Sequence, residues 1–197
     1  PSHDHFGLPL DQLIATVLSQ HTNDANSGRA FRELKRRFPR WELAAAAQPA
    51  DIKDAIRTAG LAGAKSRSIL RILAQVKADW GRYSLAKLKT QPPKDARQYL
   101  LSLPGVGPKT AACTLLFSFG MPVFPVDTHI LRVTKRLGLL PPGATAEQAH
   151  DLLGQAAPHE LCYPLHILII WHGRRVCRAR KPECGRCVLS DRCPSKQ

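Results

Sequence analysis

Leu103-Pro104-Gly105-Val106-Gly107-Pro108-Lys109-Thr110-Ala111 is the stretch whose reading decides the fold. Two glycines two apart permit a tight turn that a side chain would obstruct. Pro108 suits the first turn of a following helix, where its missing N–H is not needed. The segment therefore predicts two helices joined by a short hairpin. N–H groups exposed at such a helix start can hold one phosphate without reading a base. On this segment alone an ordinary helical hairpin fits as well.

Outward from the hairpin, apolar spacing is helical nearly everywhere. Leu10, Leu13, Ile14, Val17 and Leu18 make one stripe, and Phe31, Leu34 and Phe38 a second. Ile52 and Ile56, then Ile69, Leu70, Leu73 and Val76, keep the period, as do Leu131 and Leu137, then Leu152 and Leu153. No run alternates with period two for the length of a strand, so the expected fold class is all-α. The 16 prolines are expected to fall mostly between helices, Pro158 and Pro164 included. Gly120-Met121-Pro122-Val123-Phe124-Pro125 cannot be helical throughout, because each proline restricts the residue before it. It reads as an extended crossover, with one lobe over residues 1–121 and a second over 122–197.

Composition narrows the function. With 197 residues, 44% of them hydrophobic, the chain has apolar side chain enough for a real core and is not a disordered tail. A net charge of +14 points to a polyanion, most often nucleic acid. No apolar run approaches the ~20 residues of a membrane span, so no membrane partner is expected. No signal-peptide pattern opens the chain, and Pro1 in place of Met is expected to reflect a cut or processed start.

Four of the six cysteines crowd together as Cys177-x6-Cys184-x2-Cys187-x5-Cys193. A chain with a core, no secretion signal and such lopsided cysteines suits a metal site better than a disulfide framework. Thiolates are soft ligands for zinc or iron–sulfur clusters. A zinc ribbon offers two close knuckles, whereas here only Cys184 and Cys187 form one. The wider spacing favours a larger object over a single ion and leaves zinc as the alternative. Arg178, Arg180 and Lys181 lie inside the loop between Cys177 and Cys184, where an anchored loop would present cations to phosphate. Val126-Asp127-Thr128-His129-Ile130 places an acid after Pro125 and before a helical stripe, the position of an N-cap.

Together these residues resemble the endonuclease III family of helix-hairpin-helix DNA glycosylases. The resemblance rests on LPGVGPKTA at 103–111, VDTHILRV at 126–133, HGRRVC at 172–177, the cysteine spacing, and the interval of 18 residues from Lys109 to Asp127. It implies a six-helix bundle holding the hairpin, a helical lobe carrying a [4Fe-4S] cluster on Cys177, Cys184, Cys187 and Cys193, and a DNA groove between the lobes. It further implies that a damaged nucleotide is flipped out and that Lys109 attacks C1′, displacing the base through a Schiff base and cutting the strand by β-elimination. Asp127 would help deprotonate the lysine or stabilise the cationic sugar. An exposed lysine, with a pKa near ~10.4, is almost wholly protonated at neutral pH, so attack needs partial burial or a nearby base.

By the same resemblance Gly105, Val106 and Gly107 would bind phosphate, and Gln20 and His21, in Leu18-Ser19-Gln20-His21-Thr22, would fill the gap left by the flipped base. The family often has Gln or Asn where His21 stands. Leu61, in Gly60-Leu61-Ala62-Gly63-Ala64-Lys65, would wedge into the opposite strand, loosened by its small neighbours. His129 would back Asp127 or touch phosphate, and Arg178 and Lys181 would bind DNA. Family members commonly have a further N-terminal helix, and this chain starts after its place.

The expected enzyme is a bifunctional DNA glycosylase and abasic-site lyase acting on oxidised pyrimidines in duplex DNA. It is expected to be monomeric and, if bacterial or archaeal, cytoplasmic and nucleoid-associated. The rivals are a mismatch or adenine glycosylase of the same superfamily and a non-catalytic iron–sulfur redox sensor that binds DNA. The former generally lack a lysine at the place of Lys109, and the latter would need neither Lys109 nor Asp127.

Overall fold

The computed structural model describes residues 8–196; the ends of the two expected lobes, residues 1–7 and 197, lie outside the described residues. Among the described residues there are ten α-helices, four short 3-10 segments and no strand. The chain forms two compact units, dividing between Phe119 and Gly120.

The first unit holds α1 (Pro9–Ser19), α2 (Asp24–Arg37), α3 (Trp41–Ala46), α4 (Pro49–Ala55), α5 (Ala62–Trp80), α6 (Pro93–Ser102) and α7 (Pro108–Phe119). α1 is its central helix. Every residue from Gln12 to Leu18 is buried, and α1 packs against α2, α5 and α7. Pro9, Pro49 and Pro93 each stand in the first turn of a helix, where proline costs no hydrogen bond. Asn23 caps α2 by accepting from the Asn26 N–H at 2.8 Å. Gly81, at φ +71°, ends α5. The end of α5 meets the second half of α6 through side chains. Trp80 stacks on Tyr99 with ring centroids 4.4 Å apart, and the Tyr99 hydroxyl donates to Asp79 at 3.1 Å.

The second unit holds α8 (Thr128–Arg136), α9 (Ala146–Ala156) and α10 (His159–Arg175), followed by the cysteine loop. Its entry, residues 120–127, is non-helical. Two buried histidines hold this extended stretch. His150 Nδ1 lies 2.9 Å from the Phe124 carbonyl and His166 Nδ1 3.0 Å from that of Pro125. A carbonyl only accepts, so the proton sits on Nδ1 in both rings. Gly173 lets α10 approach α8, since a Cβ there would stand 3.0 Å from the His129 Cβ.

Two readings of the sequence need correction. Pro164 does not punctuate helices but lies inside α10. Buried Cys162 and His166 flank it and Ile170 lies a turn beyond, so tertiary packing on both sides outweighs one lost backbone bond. The buried face of α8 is Ile130, Val133 and Thr134 rather than Leu131, and Leu152 of α9 is exposed. Leu13, which is fully buried, should be a keystone: Leu13→Ala is expected to cost about 2–5 kcal/mol, measured by denaturant unfolding.

Candidate active site and iron–sulfur centre

The hairpin between α6 and α7 is built as its sequence requires. Leu103 and Val106 are buried anchors, and the Val106 N–H closes the turn on the Leu103 carbonyl at 3.1 Å. Gly105 has φ +80°, and a Cβ on it would stand 2.8 Å from Ser68 Oγ, so this position needs glycine for both conformation and space. Gly107 starts α7 by accepting the Ala111 N–H at 3.0 Å. Lys109, half-buried, therefore stands in the first turn of α7, where first-turn N–H groups lack intrahelical acceptors and favour an anion.

The Gln20 amide donates to the Gly105 carbonyl and to Thr110 Oγ1, both at 3.1 Å. Gln20 thus ties the end of α1 to the hairpin and to the residue after Lys109, a positioning role the sequence reading did not foresee. Its neighbour His21 is exposed with φ +53°. Leu61 is 61% exposed and also left-handed, with φ +49°. Such a backbone costs a non-glycine residue about 1–2 kcal/mol. Leu61, so exposed, is therefore not a core residue. Leu61 is the N-cap of α5, and its carbonyl accepts the Lys65 N–H at 3.0 Å.

Asp127 caps α8, its Oδ1 accepting the Ile130 N–H at 2.8 Å. Oδ2 takes no part in that cap. His129 lies 3.1 Å from Arg132 Nη2 through Nδ1. Arginine only donates, so Nδ1 accepts and a neutral His129 carries its proton on Nε2. Lys109 belongs to the first unit; Asp127 and His129 belong to the second.

All four C-terminal cysteines line one pocket with Val133, Arg136 and His172. Among the described residues no three His, Cys, Asp or Glu converge as a single-ion site requires. Four soft donors spread around one cavity suit a cluster, in which each iron takes one thiolate. The shell fits too. Arg136 Nη1 donates to Cys177 Sγ at 3.3 Å, and His172 Nε2 lies 3.6 Å from Cys187 Sγ. Burial lowers the pKa of His172, favouring the uncharged ring. When bound, the cluster supplies the iron–thiolate bonds that fix the loop.

Two arginines unrecognised in the sequence fasten this loop to α8. Arg132 donates to the carbonyls of Gly173 at 2.8 Å and Cys177 at 3.1 Å. Arg136 donates to those of Arg178 at 2.7 Å and Ala179 at 3.1 Å. Their spacing of four places them on one helix face, but nothing local marks a partner 41 or more residues away. Arg178 itself pairs with Glu183 at 3.0 Å, so part of its charge is already answered. Lys181 is exposed and left-handed, with φ +51°.

Comparison with known proteins agrees with this geometry. Residues 14–159 match the HhH-GPD superfamily of base excision DNA repair proteins, and residues 177–193 match the iron–sulfur binding domain of endonuclease III. Endonuclease III of Escherichia coli K12 is 35% identical over 98% of this chain and 87% of its own length. A candidate DNA glycosylase of Arabidopsis thaliana is 37% identical, and the chain spans 59% of its length. A solved trapped endonuclease III–DNA covalent intermediate superposes with a TM-score of 0.83 at 31% identity, over 96% of this chain and 84% of that one. The chain belongs to the endonuclease III family of base excision repair DNA glycosylases, enzymes of the glycosylase/AP lyase class that carry a [4Fe-4S] cluster.

The isolated protein should be brown, with about four irons and four sulfides per chain. Cys187→Ser should lose iron outright, and Arg136→Ala should lose it faster than wild type under chelator challenge, read as iron retained per chain. Stoichiometric zinc in anaerobically prepared, colourless protein would contradict the assignment.

Proposed function

We propose that this chain removes oxidised pyrimidines from duplex DNA and then cuts the strand, with Lys109 as nucleophile. The observation that carries the reading is Lys109 itself, half-buried in the first turn of α7 directly behind the hairpin. Phosphate held at the hairpin would fix the backbone beside it. Attack needs the free amine rather than the ammonium. The Lys109 nitrogen would bond to C1′ as the base leaves with its electron pair and takes up a proton. The sugar ring would then open to an imine, and loss of a proton from C2′ would expel the 3′ phosphate. Asp127 would act where positive charge develops on the sugar, through the carboxylate oxygen that the cap leaves over.

His21 and Leu61, exposed on strained backbone, suit the gap and the opposite strand, offsetting an unstacking cost of a few kcal/mol. Gly105, Val106 and Gly107 would hold phosphate through backbone. Lys181, rather than Arg178, would supply most of the loop's cationic contact, because Glu183 already faces Arg178. A mismatch or adenine glycosylase would have no use for an amine at position 109. A redox sensor would need neither that amine nor a wedge.

Lys109→Gln should bind duplex with near-native affinity, yet lose all borohydride trapping on abasic DNA and all strand cleavage, because no amine remains. Asp127→Asn should keep slow trapping on a preformed abasic site while excision of thymine glycol falls about 10²-fold or more. Native excision by Asp127→Asn would reduce Asp127 to a helix cap.

A further inference from the structure

The side chain of Lys65 is 4% exposed on average over the residue, and its ammonium group sits among three backbone carbonyls: Leu18 at 2.8 Å, Gln20 at 2.6 Å and Ala59 at 2.8 Å. An ammonium has three hydrogens and no acceptor capacity, so these contacts satisfy it in full. Burial lowers its pKa, while the three oxygens match the hydrogens of its charged form.

The carbonyls it joins lie on two segments far apart in sequence. Leu18 and Gln20 end α1 just before His21; Ala59 lies two residues before Leu61. The backbone N–H of the same lysine holds the Leu61 carbonyl. One residue therefore touches, through main chain or side chain, the residue immediately before His21 and Leu61 itself. Among the described residues of the first unit, His21 and Leu61 are also the two exposed, non-glycine residues in left-handed conformation.

We propose that Lys65 is a positioning residue that couples these two strained tips, so that His21 and Leu61 enter the DNA stack as one element of fixed spacing. The proposal rests on the reading of His21 and Leu61 as DNA-inserting residues. A carbonyl trio without the ammonium would be left unsatisfied in the interior. The 18–21 and 59–61 segments would then separate or rotate, and each tip would lose the partner that braces it. Lys65 touches no reacting atom in this account; it acts through the two tips.

The test uses the full chain and a duplex with a tetrahydrofuran abasic analogue flanked by 2-aminopurine, whose fluorescence rises when its stack is broken. Thermal melting first establishes that each variant is folded at the assay temperature. At saturating protein, Lys65→Met should give a fluorescence rise at least about threefold smaller than wild type, as Leu61→Ala should. Combining the two should bring no further loss, because residues that act through one another are not additive. Lys65→Gln, which keeps two donors, should recover part of the rise and carries the comparison if Lys65→Met does not fold. Cleavage of a single-stranded abasic oligonucleotide, which needs no wedge, should fall by a smaller factor than the fluorescence rise does in every folded Lys65 variant.

A folded Lys65→Met with the full fluorescence rise overturns the proposal, and so does an effect that adds to that of Leu61→Ala. Wild-type protein that cleaves single strands but leaves the fluorescence unchanged removes the wedge, and the coupling with it. Wild-type protein that cleaves no abasic strand points instead to failure of the lyase reading, independently of Lys65.

Discussion

The left-handed backbone of Gly105, pressed against Ser68, is the constraint on which the active part of the first unit depends. With φ at +80° and no room for a Cβ, the chain leaves α6, turns within five residues and enters α7 with Lys109 in its first turn. The reversal also turns the Gly105 carbonyl to the Gln20 amide, which bonds Thr110 with its remaining capacity. A side chain at 105 would displace Ser68 on α5, the carbonyl that Gln20 holds, and the start of the helix that carries the amine.

From that turn a chain of polar contacts runs inward to buried backbone. Gln20 belongs to the hairpin through its side chain and to Lys65 through its carbonyl. Lys65 in turn reaches the segment that carries Leu61. The Lys65 contacts satisfy carbonyls that would otherwise be costly to bury, so the polar interior orders this part of the fold as well as tolerating it. The second unit uses the same device with arginine. Arg132 and Arg136 leave one face of α8 and hold the carbonyls around Cys177, which places the first thiol before iron binds and lessens the ordering that ligation must supply.

Much of this was legible in the sequence where the signal is local. The stripe of α1, the Gly105-Val106-Gly107 turn and the cysteine spacing each read directly, because periodicity, a backbone demand and a ligand set are written within a few residues. Pro164 inside α10 was not legible, since its cost is offset by packing that local propensity does not contain. In the sequence Lys65 merely closes a glycine-containing loop, and Arg132 and Arg136 are two among the many charges of a basic chain. Their partners are backbone carbonyls as far as 47 residues away, and a carbonyl leaves no trace of itself in sequence. The left-handed His21 was hidden for a related reason: residue type does not announce φ outside glycine and asparagine.

The central claim is that the hairpin delivers one particular amine to the sugar. It is tested most directly by locating the covalent bond in the wild-type chain. The protein is reduced with borohydride on an oligonucleotide bearing an abasic site, digested, and the modified peptide sequenced by mass spectrometry. The expected result is a single adduct on Lys109. An adduct on Lys65, on the N-terminal amine or spread over several lysines would contradict the account.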